Sequence, residues 1–144
     1  MLDDAYFMRQ ALAEARRAFD EGEVPIGAVI VNDQRIIARA HNLTQTLNDV
    51  TAHAEMQAIT AAANVLGGKY LTNCTLYVTV EPCPMCAGAL GWAQIARIVY
   101  GAADEKRGYR NFTSGVLHPK TAISSGVLAD ECAALMKKFF EKKR

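Results

Sequence analysis

Apolar positions near the start of the chain recur at helical spacing. Met8, Leu12, Ala15 and Phe19 lie four, three and four residues apart, which places them on one face of a helix over about 4–20. Asp3 or Asp4 can cap its start, and Gly22 marks its end. The period then changes. Residues 26–31 form a near-continuous apolar run, as in a strand covered on both faces. Asn32-Asp33-Gln34 reads as a turn and 35–40 as a returning strand, so 26–40 is a hairpin. A polar loop follows. Thr51 can cap a helix over 52–66, rich in alanine and stopped by Gly67-Gly68. Residues 75–80 alternate as a third strand, and Glu81-Pro82 breaks it. A short helix over 83–94, a fourth strand over 96–100 and a short strand before Gly126 come next. A last helix over 127–142 carries Leu128, Cys132, Leu135 and Phe139 as its buried stripe. Strands alternating with helices after a hairpin point to a three-layer α/β protein with a mixed sheet.

Composition narrows the class. The chain has 144 residues, 51% hydrophobic and 22% charged, which suits one globular domain over 1–144. No apolar run reaches the roughly 20 residues of a membrane span. The start, Met1-Leu2-Asp3-Asp4, lacks the basic-then-apolar pattern of a secretory signal. A soluble, cytoplasmic protein is the expectation. The net charge of +1 excludes a uniformly cationic nucleic-acid binder and leaves room for a local basic patch. Lys137, Lys138, Lys142, Lys143 and Arg144 form such a patch, or else a solvated helix end complementing its dipole.

Four cysteines would allow a two-disulfide framework, but nothing in the chain indicates secretion. Cys74 and Cys132 sit in apolar periodic segments and read as core residues. Cys83 and Cys86, three residues apart, share one face of a helix start, where the dipole favours thiolate. With His53 near the start of its own helix, they make a zinc ligand set. Three protein ligands leave a position for water, the catalytic arrangement, and Glu55 is placed to move protons. Two other readings stand beside this one. A structural zinc would draw a fourth ligand from His41, His118, Cys74 or Cys132. A thioredoxin-type redox pair would leave His53 and Glu55 without a role.

His53-Ala54-Glu55 with Pro82-Cys83-Pro84-Met85-Cys86 resembles the signature of the zinc-dependent cytidine and adenosine deaminases. The resemblance extends to the segments 22–28, 40–42, 51–55, 75–83 and 126–132, which look like bacterial tRNA-specific adenosine deaminases. It covers nearly the whole chain and is weakest over 105–120. There Tyr109-Arg110-Asn111-Phe112 stands where the family has a glycine-serine-rich stretch. The resemblance implies a three-layer α/β/α cytidine-deaminase-like fold with a central five-stranded mixed sheet, and a homodimer. It implies one Zn2+ per subunit on His53, Cys83 and Cys86. The implied reaction is hydrolytic deamination of adenosine to inosine at wobble position 34, on a tRNA anticodon stem-loop. Glu55 would carry the protons, and the Ala54 and Cys83 N–H groups would donate to the substrate. Asn42 would bind the base edge and Ile26 its face, while Phe140 beside the basic tail could stack on anticodon-loop bases.

Glu81-Pro82-Cys83-Pro84-Met85-Cys86, with Trp92 soon after, also looks like guanine deaminases of the same fold. A deaminase of a free purine base or nucleoside is therefore an alternative. A non-catalytic zinc-binding module is a more distant one.

Overall fold

A computed structural model describes residues 1–143; Arg144, the end of the basic tail, lies outside the described residues. The elements in chain order are α1 (Asp4–Asp20), β1 (Gly27–Asn32), β2 (Arg35–His41), α2 (Ala54–Leu66), β3 (Cys74–Val80), α3 (Pro84–Ala93), β4 (Arg97–Ala102), β5 (Ala122–Ser125) and α4 (Ala129–Lys142). A single 3-10 turn, Tyr109–Asn111, lies between β4 and β5. The sheet has five strands in the order β2-β1-β3-β4-β5. β1 pairs antiparallel with β2 and β3, and β3, β4 and β5 run parallel. This is the five-stranded mixed sheet expected above.

Strand pleating sorts the core into two layers. Ala28 and Ile30 of β1, Leu76 and Val78 of β3, and Ile98 and Tyr100 of β4 face α2 and α3. Val29 and Val31, Tyr77, and Val99 face α1 and α4. The apolar run in β1 is thus covered on both sides. The hairpin turn is two residues, Asp33 and Gln34, both at positive φ (52° and 64°), the conformation that matches strand twist. Gly27 lets α1 approach the sheet closely, because a Cβ there would collide with the Ala11 carbonyl.

Several boundaries and faces differ from the sequence reading. The N-cap of α2 is His53, not Thr51, whose N–H and hydroxyl instead both bond to Asp49. On α1 the buried residue near the end is Ala18; Phe19 is half-buried, against Phe139. On α4 only Cys132 and Phe139 of the expected stripe are fully buried, and Leu128 precedes the helix at positive φ.

Candidate active site

Two helix starts meet at the site. α2 begins just past His53, and α3 just past Cys83, each of which is the N-cap of its helix. Pro84 opens α3, where its missing N–H costs nothing and its ring fixes the turn. Cys86 follows in the first turn and is fully buried. The His53 imidazole Nδ1 lies 3.7 Å from Cys83 Sγ and 3.5 Å from Cys86 Sγ.

Those distances fit a zinc ion. Bonds of about 2.3 Å to sulfur and 2.0–2.1 Å to nitrogen, meeting at a tetrahedral angle, set the ligand atoms about 3.6 Å apart. Among the described residues, His53, Cys83 and Cys86 are the group of donors close enough together to hold a metal ion. The thiol chemistry agrees. Cys83 is pushed down to about 4, first by its hydrogen bond with Cys86 and then by His53, against the effect of burial. The same bond and burial raise Cys86, and the bond with Cys83 raises His53. A dication accepts both sulfurs as thiolates and replaces this shared proton.

Glu55, in the first turn of α2, is 3% exposed. Burial pushes its carboxyl up to about 7. Its Oε1 is buried without a hydrogen-bond partner among the described residues. Such an atom is costly unless it serves a ligand. The structure therefore brings all four residues of the His-x-Glu and Cys-x-x-Cys motifs to one place.

The other residues named from the sequence divide into two groups. Asn42, 5% exposed, accepts a hydrogen bond from the Ala54 N–H through Oδ1 at 2.9 Å. The Asn42 N–H donates to the Ile26 carbonyl at 3.2 Å, so hydrogen bonds link Ile26 through Asn42 to Ala54, the residue between His53 and Glu55. Phe140 does not join them. It is 47% exposed on α4 and lines a groove of ≈ 820 Å³ with Met136, Lys106, Arg107 and Lys137.

Besides Glu14 on α1, two buried carboxylates were not singled out from sequence. Glu23, fully buried, accepts from the Gln45 and Thr46 N–H groups (3.1 and 2.7 Å) and from the Thr46 hydroxyl (2.7 Å), and so pins the loop after Asn42. Glu81 binds the segment after β4 just before Cys83. Both lie inside stretches that resemble the family, but an acidic residue beside a glycine or a proline carries no pattern of its own.

Comparison with known proteins agrees with the geometry. The cytidine and deoxycytidylate deaminase zinc-binding region matches residues 1–102. The chain is 46% identical to the tRNA-specific adenosine deaminase of Agrobacterium fabrum, over 100% of this chain and 98% of that one. It is 44% identical to the enzyme of the same name from Bacillus subtilis, over 100% and 92%. A solved structure from studies of A-to-I editing by tRNA:A34 deaminases matches with TM-score 0.85 and 47% identity, over 90% of this chain and 98% of that one. Guanine deaminase from Bacillus subtilis matches with TM-score 0.68 and 43% identity, over 71% and 66%. The five-stranded sheet, the converging helix starts and these matches together place the chain in the family of zinc-binding cytidine and deoxycytidylate deaminases.

Proposed function

We propose that the chain, acting as one deaminase domain over 1–144, converts adenosine to inosine at wobble position 34 of tRNA. One observation carries the chemistry: a zinc donor set stands beside a buried carboxylate oxygen that no group among the described residues satisfies. The choice of substrate is supported by 42–46% identity over nearly the whole chain to tRNA-specific adenosine deaminases.

His53, Cys83 and Cys86 hold the metal. Zinc supplies Lewis acidity, making water a nucleophile near neutral pH. In the overall reaction the water oxygen bonds to C6, the C6–N6 bond breaks, and adenosine plus water become inosine plus ammonia. Glu55 accepts one proton from the water and delivers it to the ring nitrogen, then takes the second from the new C6 hydroxyl and passes it to the departing amine. A carboxyl pushed up to about 7 is matched to taking and giving protons near neutrality. Asn42 presents its side-chain amide to the base edge, Ile26 covers the base face, and the Cys83 N–H donates to the substrate; the Ala54 N–H, expected from the sequence to do the same, donates to Asn42 Oδ1 instead and steadies the turn.

The anticodon stem-loop is the partner. Lys106, Arg107, Lys137 and Lys143 line a groove with Met136 and Phe140, beside Asp104, Glu105 and Glu141; the cations suit phosphates and the apolar side chains an unstacked base. No helix among the described residues is long and apolar enough to cross a membrane, in line with work in the cytoplasm. A homodimer is the assembly we infer, from the family resemblance.

A tRNA carrying adenosine 34, incubated with zinc-loaded protein and digested to nucleosides, tests the proposal. Inosine should form with the wild type and not with Glu55→Ala. Guanine and free nucleosides are assayed in parallel. Turnover of a free purine but not the tRNA would replace this reading, as would turnover indifferent to salt, since tRNA binding weakens as salt rises.

A further inference from the structure

The segment between β4 and β5 departs most from the family pattern, yet it is tied firmly to the site. Glu81, two residues before Cys83, is 3% exposed. Its carboxylate receives the Asp104 N–H at 3.1 Å and the Arg110 N–H at 3.2 Å. The Arg110 guanidinium adds Nε at 3.1 Å to Oε2 and Nη2 at 3.0 Å to Oε1, a two-point engagement of both oxygens. The Tyr109 N–H donates to the Pro82 carbonyl at 2.9 Å. Gly108 lies against the carboxylate, where a Cβ would collide with it. Arg110 also sits 5.7 Å from the Tyr100 ring centroid.

The same node fixes the turn Asp104-Glu105-Lys106-Arg107, which carries two basic residues beside two acidic ones. Asp104 Oδ1 accepts from the Lys106 N–H at 3.0 Å and the Arg107 N–H at 2.8 Å. Lys106 and Arg107 line the groove that also holds Phe140. Among the described residues, every hydrogen bond to the Glu81 side chain comes from 104–110, so that segment cannot lift without leaving a buried carboxylate unpaired.

We propose that Glu81 and Arg110 are a positioning pair, which holds the turn bearing Lys106 and Arg107 in fixed register with the Cys83 ligand turn. The pair acts through the residues it holds and contributes to substrate capture, not to the chemical step. This substrate role rests on the deaminase reading above.

Arg110→Ala and Arg110→Lys in the zinc-loaded protein provide the test. In Arg110→Ala, amide exchange at Asp104, Tyr109 and Arg110 should quicken by about tenfold or more as the segment opens locally. KM for an adenosine-34 stem-loop should rise about five- to tenfold while kcat stays within about twofold, the mark of lost binding. Arg110→Lys keeps the charge but not the fork and should recover part of both. It also carries the test if the alanine variant does not fold. Unchanged exchange in the variants overturns the pair outright. Faster exchange with unchanged KM overturns the substrate role. If the wild type acts on a free purine instead, the deaminase reading for tRNA fails, and the pair is judged by that purine's KM with the same exchange criterion.

Discussion

Asn42 and Ala54 are joined across the mouth of the site: the Ala54 N–H donates to Asn42 Oδ1 at 2.9 Å. The first N–H groups of a helix lack partners within it. His53 is the N-cap of α2 but makes no side-chain cap bond, because its ring faces the two sulfurs. Asn42 supplies the missing acceptor from the end of β2. One end of its amide thus steadies the turn that carries His53 and Glu55. The other end, Nδ2, donates to no protein group among the described residues.

Substitutions at Asn42 can separate these two tasks. Aspartate keeps an acceptor for the Ala54 N–H and loses the amide donor. Asn42→Asp should fold with a melting temperature within a few degrees of the wild type and bind substrate about ten- to a hundredfold less well, the effect of one missing polar contact. Asn42→Ala loses both and should also be about 1–2 kcal/mol less stable, as for other lost helix caps. Thermal melts beside KM measurements check this. Equal loss of stability in both variants would remove the capping argument.

Glu55→Gln tests a different trade. The substitution keeps the shape and removes the proton carrier, so turnover should fall by roughly 10²–10⁴-fold with zinc still bound. Its effect on zinc-free stability has the opposite sign. Burial raises the Glu55 carboxyl to about 7, so folding binds a proton there and the wild type loses stability as pH rises from the ordinary value toward that figure. At pH 8 the zinc-free glutamine variant should melt above the zinc-free wild type by a few degrees, about the shift expected from 1 kcal/mol. Calorimetry with metal analysis reads both effects.

The grouping of His53, Cys83 and Cys86 as a possible metal site, with Glu55 buried nearby, was legible because side-chain identity and spacing carry the chemistry. A histidine two residues before a glutamate, with cysteines three apart after a proline, limits what the site can be. The double-sided burial of β1 was legible for the same kind of reason, an unbroken apolar run. The cap of α2 was not. Thr51 is the better capping residue by type, but the turn it makes with Asp49 takes its hydroxyl, and the helix starts later. Nor was the bond between Glu81 and Arg110, which joins residues 29 apart in a segment without periodicity. Phe19 was misplaced by one position because the end of α1 is packed by α4, an arrangement that helical spacing alone does not encode.

Removal of zinc should expose a difference among the four free cysteines. Cys74 and Cys132 are buried, and burial raises both thiols, Cys132 to about 12. Cys83 is half-buried and held as thiolate, with Cys86 against it. A disulfide reagent applied after chelation should attack Cys83 first, and Cys86 should then close on it, so about two thiols are consumed quickly. The remaining pair should need denaturant. Zinc should slow the fast phase strongly, and Cys83→Ser should abolish it. Four thiols reacting at one rate would contradict the proposed ligand set.

Acid should unfold the protein partly through Glu23. Burial by itself pushes this carboxyl up, and the bonds from Thr46, Gln45 and Thr44 outweigh it, leaving Glu23 below its usual range. A depressed carboxylate stabilises the fold fully above the unfolded value, about 4.3, and less as pH falls through the folded one. Glu81 is lowered in the same way, with burial opposed by Arg110 and the backbone donors. The contribution of Glu23 and Glu81 to wild-type stability should therefore be flat from neutral pH down to about 5 and fall below that. In Glu23→Gln the amide turns a donor toward N–H groups that need acceptors, and stability at pH 7 should drop by about 1–3 kcal/mol. That variant should also lose less on acidification than the wild type, because its side chain no longer titrates. Denaturant titrations at pH 7, 5 and 4 measure both terms, and a variant with the wild-type acid slope would show that Glu23 does not hold the loop by its charge.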